Sequence, residues 1–346
     1  MRLPCLSSIF IGMKTLAKIL GLTVLGLVGL IVVLFLTVPF LIPIEPVGTK
    51  TPRDLAGPDS QFLQVRGVEV HFQERLWNNQ SSGSQVSAPV PLQILLHGFG
   101  ASVFSWREVI DPLAAFGPVV AFDRPAFGLT QRVLTWNGLN PYSVEMQLEI
   151  IEAFRQRAGV DQVILHGNSA GGSIAFRYAL AYPERVAGLV LISPAVYAGG
   201  GAPGFLRPLF GLPQMNRLGP LLARQIAQSG DDFLGSSWYN PDLITQEIFQ
   251  GYRAPLEIRD WDKSLWEFTK ASRSGDLAEM VATINQPTLV ITGDTDRIVP
   301  TEQSIRLAGE MPNAQLVIVP QSGHLAHEET ASEFLQAVQD FYFLLF

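Results

Sequence analysis

The sequence predicts an α/β chain: a mostly parallel, doubly wound sheet, a helical insertion late in that sheet, and an apolar helix ahead of it. Three observations carry this expectation. Short continuous apolar runs at 92–96, 119–122, 163–165 and 186–192 read as strands buried on both faces, with helical spacing of apolar residues between them. That rhythm is suspended from 195 to about 285 and resumes at 288–292 and 315–319. Finally, residues 19–44 contain no charged side chain.

A helix over 19–38, ahead of Pro39, would cover roughly the 30 Å of a hydrocarbon core. A cleaved signal peptide is the competing reading, but its apolar core is usually about 7–15 residues and ends in small residues. Here the run is longer and closes on Pro39-Phe40-Leu41-Ile42-Pro43. Residues 19–42 are therefore expected to be a retained single-pass transmembrane anchor. Arg2, Lys14 and Lys18 precede it and Lys50 and Arg53 follow it, which places segment 1–18 on the cytoplasmic or stromal side.

A net charge of −7 without a basic stripe argues against a nucleic-acid partner. Cys5 is the only cysteine, so neither an intrachain disulfide nor a thiolate metal cluster is available. Asn79-Gln80-Ser81 matches a glycosylation sequon, relevant only on a eukaryotic secretory route.

In chain order, Pro43, Pro46, Pro52 and Pro58 make 43–60 a stiff linker rather than a helix. Residues 62–65 and 68–72 alternate around Arg66-Gly67 as a hairpin, and 78–89, rich in Ser, Asn and Gly, reads as a mobile loop. Ser143 caps a helix running to Arg157, with Val144, Leu148, Ile151 and Phe154 on one face. The interruption holds glycines and prolines at 199–213, then expected helices at 218–228 and 261–272; a last helix is expected over 332–346. The α/β core is thus 61–194 with 286–346, and 195–285 is the insertion.

The stretch Gly167-Asn168-Ser169-Ala170-Gly171 lies between an apolar strand and a run of small and apolar residues. A serine at the tip of so sharp a turn must take a positive φ, and the turn closes only if residues two before and two after are very small. The pattern resembles the nucleophile elbow of the α/β-hydrolase family. In that family the insertion after the sixth strand is similar to a helical cap, and catalytic residues follow in the order serine, acid, histidine. The resemblance covers roughly 62–346 and implies neither metal nor organic cofactor.

A serine hydroxyl needs an imidazole to take its proton, and the imidazole needs a third group to fix its tautomer. Gly293-Asp294-Thr295-Asp296 follows one strand and Gln321-Ser322-Gly323-His324 the next, both at carboxyl ends. The family's form after the first of these strands is similar to G-x-x-D-x-x-V-P, which implies Asp296 as the acid and leaves Asp294 as a turn residue. His324 is the expected base. His71 and His166 read as core residues, His97 as structural, and His327 as surface or supporting. The resemblance further implies an oxyanion hole from the backbone N–H groups of Phe99 and Ala170. Asp123 and Arg124, in a segment resembling a D-R-x-x-G turn, are expected to brace loops.

The expected function is a membrane-anchored serine hydrolase, esterase- or lipase-like, acting on a small-molecule or lipid-like ester through an acyl-enzyme. Two alternatives stay open: a hydrolase of carbon–carbon or other non-ester bonds, and a slow-turnover ligand receptor. The G-N-S-x-G-G form is similar to that of carbon–carbon hydrolases of ring-fission products, but those usually carry Trp after the histidine, where this chain has Leu325.

Overall fold

The computed structural model describes residues 6–77, 90–197, 207–272 and 277–345, with side chains from Leu16 onward. Cys5, the sequon, the 78–89 loop, the glycines at 199–201 and the final Phe346 lie outside the described residues.

Eight strands form one sheet among the described residues: β1 (Gln61–Val65), β2 (Val68–Arg75), β3 (Leu92–Leu96), β4 (Val119–Phe122), β5 (Val163–Asn168), β6 (Val186–Ile192), β7 (Thr288–Gly293) and β8 (Ala314–Val319). Their order is β1-β2-β4-β3-β5-β6-β7-β8. The hairpin is antiparallel, β2 meets β4 antiparallel, and all remaining pairs are parallel. The parallel α/β sheet expected from the apolar runs is therefore present. The hairpin's second strand runs on to Arg75 because Gln73, Glu74 and Arg75 find partners in β4 that no local pattern announces.

Register positions the site. Leu96 of β3 pairs with Gly167 of β5, and Asn168 pairs with Ile192 of β6, so the chain leaves three adjacent strands at one level. Side chains alternate across the sheet. Val163 and Leu165 of β5 enter an apolar layer with Ile150, Phe154 and Phe176, while Ile164 enters the opposite layer with Trp106, Phe334 and Phe341. Helices Val144–Ala158 and Ala170–Ala181 cover the first face, and Ala331–Leu345 covers the second. Ser143 caps the first helix as expected, its hydroxyl accepting from Met146 N–H.

Between β6 and β7 the described residues include helices Pro213–Gln228, Gly230–Ser237, Gln246–Arg253 and Trp261–Ala271. The second and third escape the sequence pattern because both are short. The N-terminal helix is Leu6–Leu41, longer than 19–38 at both ends. It continues past Pro39 because a proline in the last turn forfeits one hydrogen bond, and Arg217 donates to the carbonyls of Pro39 and Ile42, both at 2.9 Å. Its stretch Leu16–Leu41 is long and apolar enough to cross a membrane, and its most apolar 18-residue window, of mean hydropathy 3.0, is not buried by the rest of the chain.

All five histidines are buried, His97, His166 and His327 among them. His166 Nε2 donates to the Tyr342 hydroxyl at 2.8 Å, which donates to Gln93 Oε1 at 2.9 Å. His327 is buried, not surface, its ring 4.4 Å from that of Trp106, because the turn Ala326–Glu329 packs inward. Burial lowers the pKa of His166 to about 3; burial, with nearby positive charge from Arg107, does the same to His327, to about 3. His97, at the end of β3, is lowered to about 4 by burial and the Arg124 charge. All three are neutral when folded and bind a proton near pH 6.5 when unfolded, so their contribution is complete above that pH and is lost as pH falls toward the folded values. Stability should therefore drop below pH 6.5 by about 1.4 kcal/mol per pH unit for each. Guanidinium titrations of the detergent-solubilised chain from pH 7 to 4.5 check this, and His166→Gln should remove one histidine's share of the slope.

Candidate active site

The elbow is set by the absence of side chains. β5 ends at Asn168, and Ser169 takes φ 52°, ψ −118° before helix Ala170–Ala181 begins. A Cβ on Gly171 would lie 2.0 Å from the Leu96 carbonyl oxygen, and one on Gly167 would lie 2.6 Å from Gly172 Cα. The strained serine is held by neighbouring backbone, its N–H donating to Ile192 O at 2.9 Å and its carbonyl accepting from Ala195 N–H at 3.0 Å.

His324 follows β8 on a loop and is buried. Its Nδ1 is 2.8 Å from Asp296 Oδ2, and an ionised carboxylate can only accept, so Nδ1 carries the hydrogen and Nε2 keeps its lone pair. The other carboxylate oxygen of Asp296 accepts from the N–H groups of Ile298 and Val299, each at 2.9 Å. Burial raises the Asp296 pKa, but the His324 ring with the Val299 N–H and the Ser193 hydroxyl outweighs it, and the net shift is downward. Asp294, two residues earlier, is exposed, and its carboxylate accepts from the Thr295 hydroxyl at 2.9 Å.

Phe99 stands on the loop after β3. Arg124 N–H donates to His97 Nε2 at 3.0 Å, so Nδ1 carries the hydrogen and donates to the Gly98 carbonyl at 2.8 Å. The Arg124 guanidinium also grips the His97 carbonyl at 2.7 Å and Gln147 at 2.8 Å. Asp123 accepts from Val103 N–H at 2.7 Å, Leu129 N–H at 2.6 Å and the His71 ring at 2.6 Å. These two residues fix the loop whose next N–H belongs to Phe99. Gly98 lets that loop touch the elbow, since a Cβ there would fall 2.9 Å from Asn168 Oδ1 and 3.3 Å from Ser169 Cβ. Ala170 is the first residue of its helix, so its N–H has no intrahelical partner and sits at the positive end of the helix dipole.

Ser169, His324 and the Phe99 side chain line one cavity of about 770 Å³. Its walls are largely apolar, with Phe127, Leu234, Trp261, Leu265 and Leu325 among them. Phe99, Phe127 and Phe268 form an aromatic cluster with ring centroids 4.9–6.4 Å apart. Asp296 stands behind His324. Among the described residues there is no cluster of His, Cys, Asp or Glu able to hold a metal.

Two residues that position this site carry no role in the sequence reading. Asn168 Nδ2 donates to the carbonyls of Ile192 and His324, both at 3.3 Å, tying the elbow strand to the histidine loop. A polar amide at the end of a buried strand is the signal that could have marked it. Glu329 accepts from Gly323 N–H at 2.9 Å and from the N–H groups of Tyr239 and Asn240 at 2.8 Å, while His324 N–H donates to Ser237 O at 2.7 Å. The histidine loop is thus bonded to the insertion between β6 and β7.

A sequence model described as the alpha/beta hydrolase fold matches residues 91–331, and the chain belongs to that family. It is a hydrolase by this match and by its relatives. The uncharacterized hydrolase YugF of Bacillus subtilis (strain 168) is 30% identical over 281 residues, covering 80% of this chain and 95% of its own. A 2-hydroxy-6-oxo-6-phenylhexa-2,4-dienoate hydrolase of Burkholderia cepacia is 28% identical over 257 residues, covering 72% and 86%. In structure, a thermophilic esterase from Thermogutta terrifontis superposes with a TM-score of 0.61 at 20% identity, over 82% of this chain and 99% of its own.

Because Asp296 and not Asp294 bonds the His324 ring, Asp296→Asn should lower kcat by as much as about 10⁴-fold, through the wrong tautomer. Asp294→Asn should stay within about threefold of the unsubstituted chain, as surface substitutions do. Steady-state assays of the two variants side by side check the ranking.

Proposed function

We propose that the chain is a membrane-anchored serine hydrolase that cleaves carboxylic esters of apolar character. The observation that carries this reading is that His324, oriented by Asp296 behind it, lines the same apolar cavity as the strained Ser169. Ser169 Oγ attacks the ester carbonyl while His324 Nε2 takes its proton, and Asp296 stabilises the resulting imidazolium. The oxygen of the tetrahedral adduct is met by the N–H groups of Phe99 and Ala170, donors of a kind worth about 3–4 kcal/mol each. His324 then gives the proton to the departing alcohol, and water, deprotonated by the same imidazole, releases the acid from Ser169. In this reading 1–18 precedes the membrane, 19–42 crosses it, 43–60 is the linker, 61–194 with 286–346 is the catalytic core, and 195–285 is the cap.

A second reading, hydrolysis of a carbon–carbon bond in a ring-fission product, is favoured by the G-N-S-x-G-G elbow and by the likeness to the dienoate hydrolase of Burkholderia cepacia. A dienoate carries a carboxylate that needs a cation, and both arginines lining the described cavity are engaged. The two terminal nitrogens of Arg132 donate to the carbonyls of Phe127, Gly128 and Thr130, with its buried Nε unpartnered among the described residues, and Arg253 pairs with Asp231. An uncharged ester fits those walls better.

A fluorophosphonate should label the chain, and Ser169→Ala should abolish both labelling and turnover with the thermal unfolding transition retained. Comparing acyl esters of graded chain length with a 2-hydroxy-6-oxo-dienoate decides between the two readings, the expected outcome being turnover of the esters. The full chain should stay with membranes through a carbonate wash; its release would count against the anchor.

A further inference from the structure

Helix Pro213–Gln228 has three differently employed sides. Gly219, Pro220 and Ala223 are buried, with Gly219 against the Trp266 ring. Arg217 and Arg224 reach back to the end of the N-terminal helix, donating to the carbonyls of Pro39, Ile42 and Glu45 at 2.7–2.9 Å. Leu218, Leu222 and Ile226, at spacing i, i+4, i+8, form the third side. Leu222 and Ile226 are each 51% exposed, and Phe233 on the next helix is 44% exposed.

Ile226 and Phe233 also line the cavity that holds Ser169, so these exposed apolar side chains are its rim. Glu257 lines the cavity too, and its carbonyl accepts from the N–H groups of Thr49 and Lys50 at 2.9 and 3.0 Å, while its carboxylate pairs with Lys50 at 2.7 Å. The segment leaving the N-terminal helix is therefore fixed at Arg217 and Arg224 and again at Glu257. Scattered exposed leucines need no partner, but an apolar rim held this close to a span-length apolar helix does.

We propose that Leu222, Ile226 and Phe233 seat in the lipid bilayer, so that the cavity mouth opens into the acyl region and an apolar ester passes from membrane to Ser169 without crossing water. The occupant is lipid because the helix that carries Leu222 and Ile226 packs against the end of the span-length apolar helix, held there by the bonds of Arg217 and Arg224 to Pro39, Ile42 and Glu45. This inference rests on reading 19–42 as a retained anchor. It adds the route of the substrate and the side of the cap that faces the membrane.

The test uses the full chain in phosphatidylcholine vesicles. Cys5 is the only cysteine, so Cys5→Ser with Leu222→Cys gives a single site for an environment-sensitive dye. The chain should float with the vesicles, and the dye should be quenched by lipids bearing a spin label near the top of the acyl chain. Leu222→Glu, which lies off the cavity wall, should lower hydrolysis of a vesicle-embedded long-chain ester about tenfold and change that of a short soluble ester by less than about twofold. Flotation with an unquenched dye, or equal losses on both esters, overturns the membrane rim and leaves the anchor standing. Quenching between labelled chains in place of lipid quenching assigns the rim to self-association and overturns the proposal as well. A chain that does not float removes the anchor, and the rim with it.

Discussion

The backbone of β3 and the turn after β5 approach so closely that the Leu96 carbonyl leaves no room for a Cβ on Gly171. The whole proposed site depends on that contact. It brings the loop carrying Phe99 against the elbow, and it lets Ser169 hold a backbone conformation that L-residues resist. The register of the parallel strands supplies the contact, since Leu96 opposite Gly167 makes the two chains leave the sheet together. The apolar layers on both faces then fix the sheet, so the strain at one residue is opposed by the packing of two cores.

Electrostatics follows the same division between a rigid frame and His324, the proposed base. His97, His166 and His327 are all held neutral by burial, two of them as hydrogen-bonding struts. His324 differs in having an ionised partner, Asp296, whose charge is stabilised by two backbone N–H groups at one oxygen and the imidazole at the other. His71 shares such a partner in Asp123, so what sets His324 apart is that its carboxylate-paired ring also stands at the cavity wall beside Ser169.

Much of this was legible in the sequence, and what was hidden has a common cause. Continuous apolar runs mark β3 to β7 because a strand buried on both faces has no polar alternation, and 92–96 could be bounded from composition alone. The elbow is legible because a geometric demand for small residues acts over five positions. Asn168 and Glu329 were not legible in their roles, since their partners are set by folding; the bond from Asn168 to His324 O joins residues 156 apart. The insertion was read poorly for a related reason. Gly230–Ser237 and Gln246–Arg253 are brief helices whose stability comes from what they pack on. His327, one helical turn beyond His324, reads as surface or supporting because the Trp106 ring that meets it is distant in sequence, and the rings of Trp106 and Phe334 put it inside.

The bonds from Ser237 to His324 and from Glu329 to Gly323, Tyr239 and Asn240 make the insertion part of the proposed site rather than a cover laid over it. Families of this architecture offer an obvious route to new specificity by transplanting one insertion for another. In this chain such a graft would carry away the carbonyl and the two amide groups that pin the histidine loop from above. Recombination boundaries that leave 237–240 with the host preserve that bracket, and boundaries drawn at the sheet do not. The modularity of the fold is therefore narrower than its topology suggests, ending one short segment inside the inserted helices.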